Sequence, residues 1–344
     1  MIAVKLYSRK DCHLCEQTLA DLASIENEVP HQLTIIDIDL NPKLEKLYGN
    51  VIPVVEVGPY RLQAPFTFQD LQIMMKAAQL NTQQDQAIDE AIQNGELTVA
   101  RSWSKADRFS YWMSRHYLAF FNVLIGIYLG FAFLAPVLQK IGAKGPANVL
   151  YTGYSFVCHQ LAYRSWFLFG AQPSYPTAAA GIRGWKTYEA ITGLDPNTAT
   201  GLWDARSFRG NEQMGYKVAL CERDIAIYAA MLLFGLAFAF LRTRFPHIRP
   251  IPWYVWILLG MVPIGLDGGT QLISQFFPQI HKLIPYREST PFLRSLTGGL
   301  FGIFTAWFGY PYVEESMSET RTYMQRRLER LRTAQEKNSL EPVD

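Results

Sequence analysis

The sequence predicts an α/β N-terminal domain joined to an all-α polytopic membrane domain, with about four transmembrane helices and one re-entrant or interfacial helix. Three observations predict it. Residues 1–80 alternate between strand-period and helix-period apolar patterns. A Cys-x-x-Cys stands where the first strand pattern gives way to the first helical one. From Tyr117 onward, uncharged stretches long enough to cross a hydrocarbon core recur.

The chain of 344 residues has room for two domains. A net charge of +2 leaves no basic field, so nucleic acid is not expected as a partner. Among the four cysteines only Cys12 and Cys15 are close in sequence, which excludes a disulfide-dense secreted scaffold. The first residues read as a strand and not as a secretion signal, so the N-terminal domain is expected in the cytoplasm.

Ile2, Val4 and Leu6 alternate with Ala3, Lys5 and Tyr7 as a strand that ends in the turn residues Ser8 to Asp11. Cys12-His13-Leu14-Cys15 opens a helix with apolar Leu19, Leu22, Ala23 and Ile25. A second strand spans 33–38, and Asn41-Pro42 opens a short helix through Tyr48. Residues 52–57 form a third strand with Pro53 near its start, Gly58-Pro59 turns the chain, and 67–79 close the domain as an amphipathic helix. Cys12 falls at a helix N-terminus, where unpaired amides and the helix dipole stabilise a thiolate. Cys15 lies one turn on, able to close a disulfide with Cys12, and His13 adds potential positive charge.

Tyr7-Ser8, Cys12-His13-Leu14-Cys15-Glu16 and Val51-Ile52-Pro53-Val54 together resemble the glutaredoxin-like branch of the thioredoxin superfamily. The resemblance covers residues 1–80. It implies a thioredoxin-like fold, a cis Pro53 opposite the motif, and Cys12 and Cys15 as the catalytic pair. Glutaredoxins hold glutathione with a Gly-Gly stretch and an acidic residue. Gly58-Pro59-Tyr60-Arg61 stands there instead, which argues against glutathione. Two alternatives stay open: half of a zinc site, which needs a second ligand pair on the same side, and a docking module with idle cysteines.

Residues 81–116 read as a linker with a short surface helix, followed by an interfacial segment. There Arg101, Lys105, Arg108 and Arg115 interleave with Trp103, Phe109, Tyr111 and Trp112. The membrane domain, 117–313, has spans at 117–138, 218–241, 252–274 and 292–313. Asp267-Gly268-Gly269 interrupts the third. Residues 148–170 are apolar but carry His159 and Arg164, and are read as the re-entrant or interfacial helix. Residues 171–217 are then an outer loop, and 314–344 a charged cytosolic tail. Arg101–Arg115, Arg242–Arg249 and Arg321–Arg330 all mark the inner side if four spans cross. The expected location is a prokaryotic-type plasma membrane, multi-pass, with lipid as partner and both termini cytoplasmic.

Cys158-His159-Gln160, Arg164-Ser165, Cys221-Glu222-Arg223-Asp224, Asp267-Gly268, Gln271 and Thr297-Gly298 resemble a bacterial and archaeal predicted-membrane-protein family of unknown function. In that family a Cys-x-Arg-Cys stretch stands where this chain has Asp224 in place of the second cysteine. A mid-span carboxylate such as Asp267 needs a partner, and Arg164, Arg223 and Arg294 are available. Cys221 and Asp224, placed three apart on one helix, share a face and with Cys158 and His159 can form a zinc or other soft-metal site. The alternatives are a Cys158–Cys221 disulfide and a structural polar network that also takes in Gln271.

The leading functional expectation is a membrane-anchored thiol–disulfide oxidoreductase or redox sensor with a thiol protein as partner. The rivals are an ion or small-solute transporter, and an assembly subunit of a larger membrane complex, each with a regulatory N-terminal domain.

Overall fold

Alternation holds over the start of the first strand: β1 (Ile2–Ser8) buries Ile2, Val4 and Leu6 and exposes Ala3 and Lys5, and its end, Tyr7 and Ser8, is buried as well. The computed structural model describes residues 1–94, 103–196, 198–245, 248–276 and 286–340. Arg101 and the tail end, 341–344, lie outside them. The described chain divides into two units, Met1–Arg115 with Met317–Asp344, and His116–Ser316.

In the first unit β1 is followed by α1 (His13–Ile25), β2 (His31–Asp37), α2 (Pro42–Tyr48), β3 (Val54–Val57), β4 (Tyr60–Gln63) and α3 (Phe68–Gln93). The sheet order is β2-β1-β3-β4, with β1 and β2 parallel and the other pairs antiparallel. Leu22 and Ile25 of α1 and Leu71 and Met75 of α3 pack with Val4, Leu6, Val55 and Val57 in one core. Two details differ from the expected order. The chain does not go from the third strand to a helix: Gly58, at φ +56°, turns it into the short strand β4, which pairs with β3. The closing helix and the linker helix are one helix, α3, because no Gly or Pro breaks 68–93.

α4 (Lys105–Lys140) begins beside the far end of the C-terminal helix. Trp103, expected as an interfacial anchor, is instead buried with Leu331, flanked by Tyr111, Met324 and Leu328. Arg327 pairs with Asp107 at 3.2 Å, and Arg321 donates to the Ser114 carbonyl at 3.1 Å. The tail is thus packed along part of its length.

The second unit contains the rest of α4, α5 (Lys144–Tyr154), β5 (Ser165–Leu168), α6 (Tyr188–Thr192), α7 (Ala199–Ser207), β6 (Gly210–Asn211), β7 (Gly215–Cys221), α8 (Glu222–Arg244), α9 (Trp253–Val255), a π-helical segment Trp256–Met261, α10 (Val262–Phe276) and α11 (Pro291–Leu340). Among the described residues three helices are long and apolar enough to cross a membrane: Lys105–Lys140, Glu222–Arg244 and Trp253–Gln275.

Several expectations are corrected here. Residues 148–170 are not one re-entrant or interfacial helix. The helix stops at Tyr154, Gln160 takes φ +54°, which no α-helix accommodates, and 165–168 are a strand. Residues 171–217, expected as a loop, contain two short helices and, with β5, most of a three-stranded sheet of order β5-β7-β6. Residues 218–221 belong to β7, so the next helix begins at Glu222. Asp267-Gly268-Gly269 lie within α10 and do not interrupt it; the irregularity is the π segment upstream. Residues 292–313 are the first part of α11, less apolar than the three spans because they carry Arg294 and a Tyr310-Pro311-Tyr312 run.

α8 and α11 approach closely at two glycines. A Cβ on Gly302 would lie 2.3 Å from the Ile227 carbonyl oxygen, and one on Gly298 2.6 Å from that of Arg223. This Gly-x-x-x-Gly spacing lets two helix backbones meet where any side chain would hold them apart.

Candidate functional sites

Cys12 is the N-cap of α1, its sulfur accepting from the Cys15 amide at 3.3 Å. The two cysteines are joined by a disulfide with a Cα–Cα separation of 5.3 Å. Cys12 is half-buried and Cys15 is buried, while His13 and Leu14 between them are exposed. An accessible first sulfur and a buried second one suit a nucleophile backed by a resolving thiol. The Ile52–Pro53 peptide is cis. Tyr7, just before the motif, donates to Glu56 at 2.9 Å, and its ring lies 4.7 Å from that of Tyr48. Burial, then the Glu56 hydrogen bond, pushes the Tyr7 hydroxyl up to about 12, so it remains a donor at neutral pH. Arg61, on the strand the sequence did not reveal, pairs with Glu56 at 2.8 Å. The cation of the Gly58-Pro59-Tyr60-Arg61 stretch is therefore engaged inside the domain.

The second unit holds a buried ionic network built where α8, α10 and α11 meet. Arg294, one turn into α11, is 2 % exposed. It donates to Glu222 at 3.0 Å, to the Tyr163 carbonyl at 3.4 Å, and closely to Glu288. Glu288 also accepts from Arg164 at 2.7 and 2.9 Å, from Gln271 at 2.9 Å and from Gln275 at 2.7 Å. Asp267 accepts from Arg223 at 2.5 Å, Arg287 at 2.8 Å and Ser289 at 2.9 Å. The expected partner set of Asp267 is thus corrected: Arg223 meets it, but Arg164 and Arg294 serve Glu288 and Glu222. Sequence reasoning missed Glu222, Glu288 and Arg287. Glu222 enters the sequence reading only within the Cys221-Glu222-Arg223-Asp224 stretch, and Arg287 and Glu288 stand in a short polar stretch without periodicity.

Beside this network the chain brings Cys158 and Cys221 together. The Cys158 amide still donates to the Tyr154 carbonyl at 2.9 Å, closing the last turn after α5. The Gln160 side chain donates back to the Tyr151 carbonyl at 2.8 Å, and the Lys217 ammonium donates to the Gln160 carbonyl at 2.6 Å. Ser165 pairs with Cys221 across β5 and β7. Cys221 is not on a helix face with Asp224, as expected, but is the N-cap of α8; its sulfur accepts from the Asp224 amide at 3.4 Å. The donor atoms of Cys158, Cys221 and Asp224 all lie within 4.8 Å of one another. His159 is exposed and stands outside this trio, although it lines the same cavity of about 240 Å³. Both thiols are free; their closeness holds Cys158 below the ordinary thiol value and pushes Cys221 above it. Lys217 is fully buried, and burial, then Arg209 nearby, pushes its ammonium down to about 7.

Two sequence families match this architecture. Residues 3–82 match one described as a glutaredoxin-like domain (DUF836). Residues 204–308 match one described as a predicted membrane protein (DUF2085). An uncharacterized protein of Methanocaldococcus jannaschii is 24 % identical over 204 residues, 58 % of this chain and 93 % of its own length. No solved structure gives a significant match.

Proposed function

We propose that this chain, in which a glutaredoxin-like domain is fused to a predicted membrane protein domain, is a membrane-anchored thiol–disulfide oxidoreductase. The observation that carries the reading is the Cys12–Cys15 disulfide at the N-terminus of α1, with Cys12 accessible and Cys15 buried. In the reduced protein the Cys12 thiolate attacks one sulfur of a substrate disulfide. A Cys12–substrate bond forms and the other substrate sulfur leaves as a thiolate. The Cys15 thiolate then attacks the Cys12 sulfur, releases the second substrate sulfur and restores the Cys12–Cys15 disulfide. Two electrons pass to the substrate, and a thiol reductant renews the dithiol. Leu14, 55 % exposed beside Cys12, favours a polypeptide as the disulfide substrate. With Arg61 held by Glu56, glutathione is not proposed as a bound cofactor.

The test uses the full-length protein in detergent. Cys15→Ser should trap a mixed disulfide between Cys12 and a disulfide-linked peptide, and Cys12→Ser should trap none. The Cys12 alkylation midpoint should fall below the ~8.5 of a free thiol. An ordinary midpoint together with no trapped adduct would leave the domain only a docking role.

The proposal includes topology: four crossings, by α4, α8, residues 253–275 and the first part of α11, with both termini cytoplasmic. Arg108, Arg115, Arg242, Arg244, Arg321 and Arg326 then share the inner side. In a cysteine-free background, an impermeant reagent should label Glu212→Cys from outside and Thr333→Cys only after lysis. Labelling of both from outside rejects this topology.

A further inference from the structure

We infer that Cys158, Cys221 and Asp224 form a binding site for a thiophilic divalent cation, of which zinc is the type, separate from the Cys12–Cys15 pair.

The three donor atoms lie within 4.8 Å of one another. Such a set can close on one ion with bonds of ~2.3 Å to sulfur and ~2.0–2.2 Å to oxygen after small side-chain rotations. The donors come from two segments that backbone and side-chain hydrogen bonds hold side by side. Cys221 and Asp224 occupy the N-cap and third residue of α8, and the Cys158 turn is anchored by the Gln160–Tyr151 and Lys217–Gln160 hydrogen bonds. Two sulfurs and one carboxylate select zinc-like ions over magnesium or calcium, which prefer oxygen alone.

Charge bookkeeping agrees. Arg164, Arg223, Arg287 and Arg294 pair with Glu222, Asp267 and Glu288, and the Asp224 carboxylate lines the same cavity as three of them, so four guanidinium groups stand beside four carboxylates. Exchanging two thiol protons for one divalent ion leaves that balance unchanged. Two sulfur–metal bonds and one oxygen–metal bond form, and two protons go to solvent. A Cys158–Cys221 disulfide would also be neutral, but it gives no role to the Asp224 carboxylate beside the pair.

All three donors line the 240 Å³ cavity, together with His159, Arg164, Arg223 and Gln271. The fourth coordination position therefore opens onto that space, where water or a small anionic ligand can enter. Three protein ligands plus an open position is the pattern of a reactive metal site; a purely structural one is closed by four.

The experiment is elemental analysis of the full-length protein purified anaerobically in detergent from zinc-supplemented cells. About one zinc per chain is expected. The ion should persist in Cys12→Ser/Cys15→Ser and disappear in Cys158→Ser/Cys221→Ser. Asp224→Asn should keep both thiols but lose zinc to a competing chelator at least tenfold more readily. Because the double serine variant can fail by misfolding, cobalt(II) added to the metal-stripped native chain supplies a second readout. A sulfur-to-cobalt charge-transfer band must appear, and it must persist when Cys12 and Cys15 are replaced. No zinc and no such band, zinc that leaves with Cys12 and Cys15, or an anaerobically purified Cys158–Cys221 disulfide each overturn the inference. Absence of zinc and of the band, or a Cys158–Cys221 disulfide, leaves Cys12 reactivity untouched, and the oxidoreductase reading is decided separately by trapping and alkylation at Cys12.

Discussion

Arg294→Met removes the hub of the buried network. Three interactions vanish: those to Glu222, Glu288 and the Tyr163 carbonyl. Glu288 stays compensated, since Arg164, Gln271 and Gln275 still donate to it. Glu222 does not. It is fully buried and keeps only the Ser174 hydroxyl, at 2.5 Å. The dominant cost is therefore one uncompensated buried carboxylate, about 3–5 kcal/mol. For a unit of this size each kcal/mol corresponds to about 2–4 °C, so thermal melting in detergent should fall by roughly 6–20 °C. Adding Glu222→Gln removes the stranded charge and should recover about half of that loss, about 1.5–2.5 kcal/mol; the coupling exceeds this recovery by the cost of Glu222→Gln alone. Melting of the native chain, both single variants and the double variant gives the cycle. A fall below about 2 °C, or a double variant no more stable than Arg294→Met, would show that Glu222 is not the group Arg294 compensates.

Gly302→Ala and Gly298→Ala should each lower the melting temperature, because their Cβ atoms would meet α8 backbone at 2.3 and 2.6 Å. Gly299→Ala has open space and should be neutral or slightly stabilising, as helix propensity favours Ala by up to ~1 kcal/mol; equal losses at all three would remove close helix approach as the cause. Lys217 titrates near 7 in the folded chain against 10.5 unfolded, so between those values only the unfolded state binds its proton and stability rises with pH. Lys217→Met should therefore flatten the pH 7–10 dependence of melting, and an unchanged slope would mean the folded ammonium is not perturbed. Asp224→Cys, in a chain also lacking Cys12, Cys15 and Cys158, should yield an oxidant-formed disulfide with Cys221; two thiols still titratable after oxidation would show that the two helix starts differ.

The N-terminal domain was legible because its signals are local. β1 alternates, α1 starts at a cysteine cap, and Asn41 caps α2 through its side chain. β4 was hidden because Tyr60–Gln63 is four residues long and follows a Gly-Pro turn, so pattern alone gives it no period to count. In the membrane half, hydropathy located α4 and α8 but misread 148–170. Apolar composition there reflects burial of Tyr151, Tyr154, Leu161 and Tyr163 against sheet and helix, and not a re-entrant or interfacial helix. Of the arginines open to Asp267 the sequence named Arg223, which meets it, but not Arg287: which arginine meets which carboxylate depends on how α8, α10 and α11 are rotated, and no local pattern encodes that.

The two cysteine sites show how one local geometry serves different chemistry. Cys12 and Cys221 both end a loop or strand, both cap a helix, and both accept from the amide three residues on, at 3.3 and 3.4 Å. Each sulfur thus receives the same help from a helix N-terminus. What differs is the residue supplying that amide. At Cys15 it is a thiol, so the pair can store two electrons as a disulfide. At Asp224 it is a carboxylate, which cannot be oxidised in that way but can share a cation. The sulfur that Asp224 does not supply comes from Cys158, carried there by a non-helical turn and not by the helix itself. A dithiol built within one helix turn can open and close without moving the fold. A site whose second sulfur arrives from another segment, beside four paired guanidinium groups, can do so only by displacing that segment. The first arrangement suits turnover, and the second suits holding an ion in place.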